Sequence, residues 1–143
     1  MVVPPSTWHL PAVSEQALGT ALKAAGRERE EYVIATKVNG DNLKPDRLRS
    51  TFQRSLENLQ TDYVDLLQIH WPNDQVPPEV YMPVIREFVE EGKVRAIGIS
   101  NHGCQDMQRV LDTGISIVSN QLPYNLLNRV VEDSVWNDVV AHR

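Results

Sequence analysis

The chain has 143 residues, with 14 basic and 19 acidic side chains, a net charge of −5, and 41% apolar and 23% charged residues. These values suit one globular domain in water and exclude a nucleic-acid binder built on a basic stripe. No apolar run is long enough to span a membrane, and the single cysteine, Cys104, excludes a disulfide framework or a cysteine-built zinc site, so no metal is expected.

Residues 1–13, MVVPPSTWHLPAV, form the one compositional break and read as an irregular leader. The leader has no basic n-region and three prolines, so a secretory signal is not expected and a reducing cytoplasmic setting is. Residues 14–143 then read as one domain. Ser14 suits a helix N-cap, with Ala17, Leu18, Ala21, Leu22 and Ala25 on one stripe ending near Gly26. Tyr32–Val38 (YVIATKV) reads as a first strand. Pro45 suits a first helical turn, and Leu48, Phe52, Leu56 and Leu59 follow at helical spacing. Val64–His70 (VDLLQIH) is a second strand. Val84, Ile85, Phe88 and Val89 mark a helix stopped by Gly92. Val94–Ser100 (VRAIGIS) is a third strand, followed by a helix over Met107, Val110 and Leu111 that stops at Gly114. Ile117–Leu122 (IVSNQL) is a fourth strand, and Val131, Val135 and Val139 mark a last helix.

One helix followed by four strand–helix units implies right-handed βαβ crossovers and a parallel sheet. Three of the strands begin as nearly continuous apolar runs, as strands covered on both faces do. A doubly wound sheet and part of a (β/α)₈ TIM barrel both fit this order. The strand ends favour the partial barrel: Lys37, His70, Ser100–Asn101 and Asn120–Gln121 put every polar group at the C-terminal end. The Gly-rich phosphate loops of the common doubly wound nucleotide sites are absent. A full barrel needs about eight strands. Four would leave open sheet edges and an uncovered inner face that invite self-association.

A lysine and a histidine at neighbouring strand ends can polarise a carbonyl, and Ser, Asn and Gln beyond them suit a neutral carboxamide better than a phosphate. Each residue alone has an ordinary reading. The lysine is then a solvated charge, the histidine a structural residue before Trp-Pro, and the asparagine a turn former.

The stretches IATKV, LQTDYVDLLQIHWP, EEGKVRAIGISNHG and VSNQLPYNLLNR resemble the aldo-keto reductases, and SEQALGTALK resembles the helix after that family's second strand. The resemblance runs from about Ser14 to the end. It implies part of a (β/α)₈ barrel that reduces an aldehyde or ketone with NADPH and without metal. By that resemblance the catalytic lysine and histidine fall on Lys37 and His70. The residues that bind the nicotinamide carboxamide fall on Ser100, Asn101 and Gln121. The family's Asp-Thr-Ala…Tyr-Gly segment is not matched, because VPPSTWHLPAVSE stands there and holds neither Asp nor Tyr before Ser14. Lys37 is therefore expected to lack its carboxylate partner, with His9 and Tyr124 the nearest substitutes for the tyrosine. A truncated, weakly active or inactive reductase acting on a small-molecule carbonyl is the first reading. A catalytically dead half-barrel that binds itself or a partner is the alternative.

Overall fold

The computed structural model describes residues 11–133. Helix α1 spans Pro11–Ala25, strand β1 Ala35–Val38, α2 Pro45–Leu59, β2 Val64–Ile69 and α3 Pro78–Glu90. Then follow β3 Val94–Ser100, α4 Cys104–Leu111, β4 Ser119–Gln121 and α5 Val130–Asp133. All the expected elements are present in order. Positions 135 and 139 of the last helix lie outside the described residues.

Several ends move. Helix α1 begins at Pro11 and not after an N-cap at Ser14, so the leader gives way to the domain three residues sooner than expected. Proline lacks the N–H that a first helical turn leaves unpaired, which makes it a natural start. Strand β1 begins at Ala35 rather than Tyr32. The Ile34 amide donates to the Asp65 carboxylate at 2.9 Å, which takes it out of the ladder. Strand β4 keeps only the middle of the expected IVSNQL run.

The four strands pair in the order β1-β2-β3-β4, all parallel. Register sets Lys37 beside Gln68, Gln68 beside Gly98, and Gly98 beside Ser119. Side chains alternate between the faces of a strand. Ile34 and Val38, Leu67 and Ile69, and Ile97 and Ile99 point to one face and are buried. That face meets the helices, with α1 against α2, α2 against α3 and α3 against α4. Phe52 and Phe88 close the layer at 4.6 Å between ring centroids.

The opposite face carries Ala35, Lys37, Leu66, Gln68, Ala96 and Gly98. Ala35 is exposed and Leu66 and Ala96 are half-buried. Among the described residues the helices lie on one side of the sheet, and with strands in sequential order this makes the wall of a barrel and not a doubly wound sheet. A Cβ at Gly98 would stand 2.4 Å from Ser119 Oγ and 3.0 Å from Gln68 Cγ, so the inner layer closes over a residue with no side chain. Outside the wall, α1 sits so close to α2 that a Cβ at Gly19 would lie 2.5 Å from the Asn58 carbonyl oxygen. No helix among the described residues is long and apolar enough to cross a membrane.

Candidate active site

The strand ends meet at one rim. On a flat sheet, β1 and β4 would lie about 14 Å apart, three inter-strand steps. The sheet curls, and Lys37 Nζ donates to Gln121 Oε1 at 2.7 Å across the inner face. Ser100 Oγ donates to the Gln121 carbonyl at 3.0 Å. Asn101 Nδ2 donates to the His70 carbonyl at 2.9 Å and to Ser100 Oγ at 3.1 Å. The structure therefore brings together all five residues singled out in the sequence.

Asn101 adopts φ 60°, the left-handed region that asparagine tolerates better than most residues. Its backbone amide donates to the Gln121 carbonyl at 3.0 Å. This turn brings the Asn101 side chain back over β2.

Burial holds the Lys37 ammonium below the usual lysine pKa. Among the described residues it forms no ion pair. The Gln121 amide oxygen orients it. Burial, and then the Lys37 charge, hold His70 below the ordinary histidine pKa, so its ring is neutral at pH 7. A neutral imidazole carries one N–H donor and one acceptor nitrogen. Trp71, 44% exposed, stands beside it with ring centroids 6.0 Å apart. A groove runs from Trp71 between Asn39–Asp41 and Pro72–Gln75.

Other candidates fall elsewhere. The Tyr124 hydroxyl, on an exposed side chain, donates to the Glu132 carboxylate on α5. His9 lies outside the described residues. Among the described residues, no three His, Cys, Asp or Glu side chains gather as a metal would need.

Sequence reasoning passed over His102 behind the rim and gave Asn120, which it placed among the polar strand ends, no role of its own. Asn120 Nδ2 donates to the His102 carbonyl at 2.8 Å, and His102 Nδ1 lies 2.7 Å from the Ser100 carbonyl oxygen. The only signal for His102 was adjacency to Asn101, whereas Asn120 stood with Gln121 at the polar end of the fourth strand.

Fit to a nicotinamide can be judged at the rim. A primary carboxamide needs one acceptor and one donor. Among the described residues no hydrogen bond engages Asn101 Oδ1 or Gln121 Nε2, so both remain for such a group. The residues present fit that end of the cofactor.

Residues 11–141 match the family model described as the Aldo/keto reductase family. The chain is 38% identical over 133 residues to the Aldo-keto reductase YhdN of Bacillus subtilis, covering 85% of this chain and 39% of that protein. It is 41% identical over 125 residues to Methylglyoxal reductase DkgB of Escherichia coli O157:H7, covering 82% and 46%. Among solved structures, a thermostable aldo-keto reductase, Tm1743, bound to the inhibitor epalrestat, superposes with a TM-score of 0.83 at 33% identity, covering 89% of this chain and 46% of that one. An aldo/keto reductase from Klebsiella pneumoniae in complex with NADP and acetate gives 0.83 at 28% identity, covering 92% and 46%. The chain thus spans less than half the length of these relatives.

Proposed function

Because this chain belongs to the aldo/keto reductase family, we propose that its rim serves the reduction of a small aldehyde or ketone to an alcohol with NADPH. The observation that carries this reading is the convergence of Lys37, His70, Ser100, Asn101 and Gln121 on one rim of a parallel sheet. The nicotinamide, when bound, supplies the hydride. Asn101 Oδ1 and Gln121 Nε2 would hold its carboxamide, and Ser100 would steady both through the bonds it already makes. Lys37 would give up the Gln121 oxygen and turn its charge toward the carbonyl being reduced, stabilising the alkoxide that hydride transfer leaves, and water at the open rim would give that oxygen its proton. Neutral His70 would hold the carbonyl oxygen through its N–H and keep the substrate in place. Trp71 would wall the pocket.

The names of the relatives suggest a ketoaldehyde such as methylglyoxal as substrate. A cytoplasmic setting accords with the single cysteine. Among the described residues β1 and β4 each keep one edge without a partner strand, and each edge would take up a further strand, for example from a second copy.

Four βα units hold the carboxamide end of the cofactor and little else, so these 143 residues alone should bind NADPH at millimolar and not micromolar concentration. Quenching of the three tryptophans by NADPH measures this. Reduction of methylglyoxal should be slow and fall about 100-fold in His70→Ala. Gln121→Ala should instead weaken cofactor binding. Micromolar quenching would contradict the weak site, and unchanged turnover and binding in both variants would contradict the assignment of the rim.

A further inference from the structure

The most informative group outside the rim is His102. It is 1% exposed and lies directly behind Ser100 and Asn101. The Ser100 carbonyl can only accept a hydrogen bond, so the Nδ1 that faces it at 2.7 Å must carry the proton. Nε2 of a neutral ring is then a bare lone pair. It is buried and has no partner among the described residues. His102 lines a small cavity together with Tyr81 from α3 and Asp106 and Arg109 from α4. Burial lowers the His102 pKa against the opposing pull of the Ser100 carbonyl and Asp106, which agrees with a neutral ring.

The consequence falls on Asn101. Its preceding carbonyl, that of Ser100, is held by the His102 ring. The His102 carbonyl beyond it is held by Asn120. Its own amide is held by the Gln121 carbonyl. The peptide group that precedes Asn101, a residue at φ 60°, is thus fixed from outside at both its carbonyl and its N–H, and the peptide after His102 is fixed at its carbonyl. Such a conformation persists where its surroundings over-determine it.

We propose that His102 is a positioning residue: as the neutral Nδ1–H tautomer it clamps the Ser100 carbonyl and, with Asn120, locks Asn101 in the left-handed turn that presents its side chain at the rim. This rests on the reading of Ser100 and Asn101 as the pair that faces the nicotinamide.

The test is NMR on the 143-residue chain at pH 7, in the parent and in His102→Phe and His102→Asn. Asparagine places its Nδ2 as many bonds from Cβ as histidine places Nδ1, so it can keep the clamp, whereas phenylalanine keeps the bulk alone. Long-range proton–nitrogen spectra should show a neutral ring protonated at Nδ1. Exchange of the Asn101 amide should quicken about tenfold in His102→Phe relative to amides of β2, and return in His102→Asn. A ring protonated at Nε2 or on both nitrogens would overturn the proposal. So would a folded His102→Phe with unchanged exchange, or an asparagine variant that behaves like it. If His102→Phe does not fold, the tautomer and the asparagine variant decide. Nicotinamide mononucleotide separates the two readings. If it perturbs no rim residue of the parent, the nicotinamide reading fails, while tautomer and exchange still judge the clamp.

Discussion

Gln121 is asked to do two things with one amide. Its oxygen accepts from Lys37, and in the proposed reading its nitrogen would donate to the nicotinamide carboxamide. Gln121→Glu separates the two roles. A carboxylate there would pair with Lys37 and raise the lysine pKa, while removing the donor that a carboxamide needs. A partly exposed pair contributes only about 0–1 kcal/mol, so stability should hardly change. Affinity for nicotinamide mononucleotide should fall at least as far as in Gln121→Ala. Calorimetric melting with a ligand titration checks both, and a Glu variant that binds better than Ala would show that Gln121 does not face the ligand through Nε2.

Among the helices, α1 approaches α2 closely at Gly19. Gly19→Ala sets two effects against each other. Alanine gains about 1 kcal/mol of helix propensity over glycine. Its Cβ, however, would meet the backbone of Asn58 and Leu59 at 2.5–2.8 Å, and backbone cannot rotate away. Overpacking of this kind costs about 1–3 kcal/mol. The clash should win, with a net loss of about 1 kcal/mol in urea unfolding. A stabilised variant would mean that α1 docks less closely than described.

The elements were legible in the sequence where apolar period and stop signals agreed. Helices α2 and α3, with Gly92 beyond α3, are examples. Their ends were not legible where a distant side chain intervenes. The start of β1 depends on Asp65, thirty-one residues away along the chain, claiming the Ile34 amide. The rim residues could be read because strand ends of a parallel sheet share one side. The Gln121 bond to Lys37 could not, because it depends on how far the sheet curls. His102 escaped notice for a related reason: a buried histidine beside a turn has no periodicity to betray it.

At the scale of the whole molecule, the two ends of the sheet have different chemistry. The C-terminal rim carries the candidate site. The opposite end is a charged cluster in which Asp65 accepts from Arg29 at 2.7 Å and from Arg95 at 3.0 Å, and both guanidiniums lie over the Tyr63 ring. Burial would raise the Asp65 pKa, but the Ile34 amide and the two arginines together outweigh it and hold the carboxyl low. A carboxyl depressed on folding contributes stability above its unfolded pKa, here 3.8, and loses it as pH falls further. His70 and His102, depressed from 6.5, bind protons more readily when unfolded, so they too cost stability as pH falls below that value. Urea midpoints should therefore drop in two stages on acidification, first below about pH 6.5 and again below about pH 4. Asp65→Asn should cost about 1–3 kcal/mol at pH 7 and flatten the second stage, leaving the first intact. A single stage, or a second stage unchanged in Asp65→Asn, would place the acid sensitivity elsewhere.

The most direct measurement is a chemical-shift map of the isotope-labelled chain titrated with nicotinamide mononucleotide to millimolar concentration. The largest changes should fall on Lys37, His70, Ser100, Asn101 and Gln121, with Arg29, Asp65 and Arg95 at the far end of the sheet unmoved. Changes centred on that far end, or none at the rim at saturating ligand, would contradict the account.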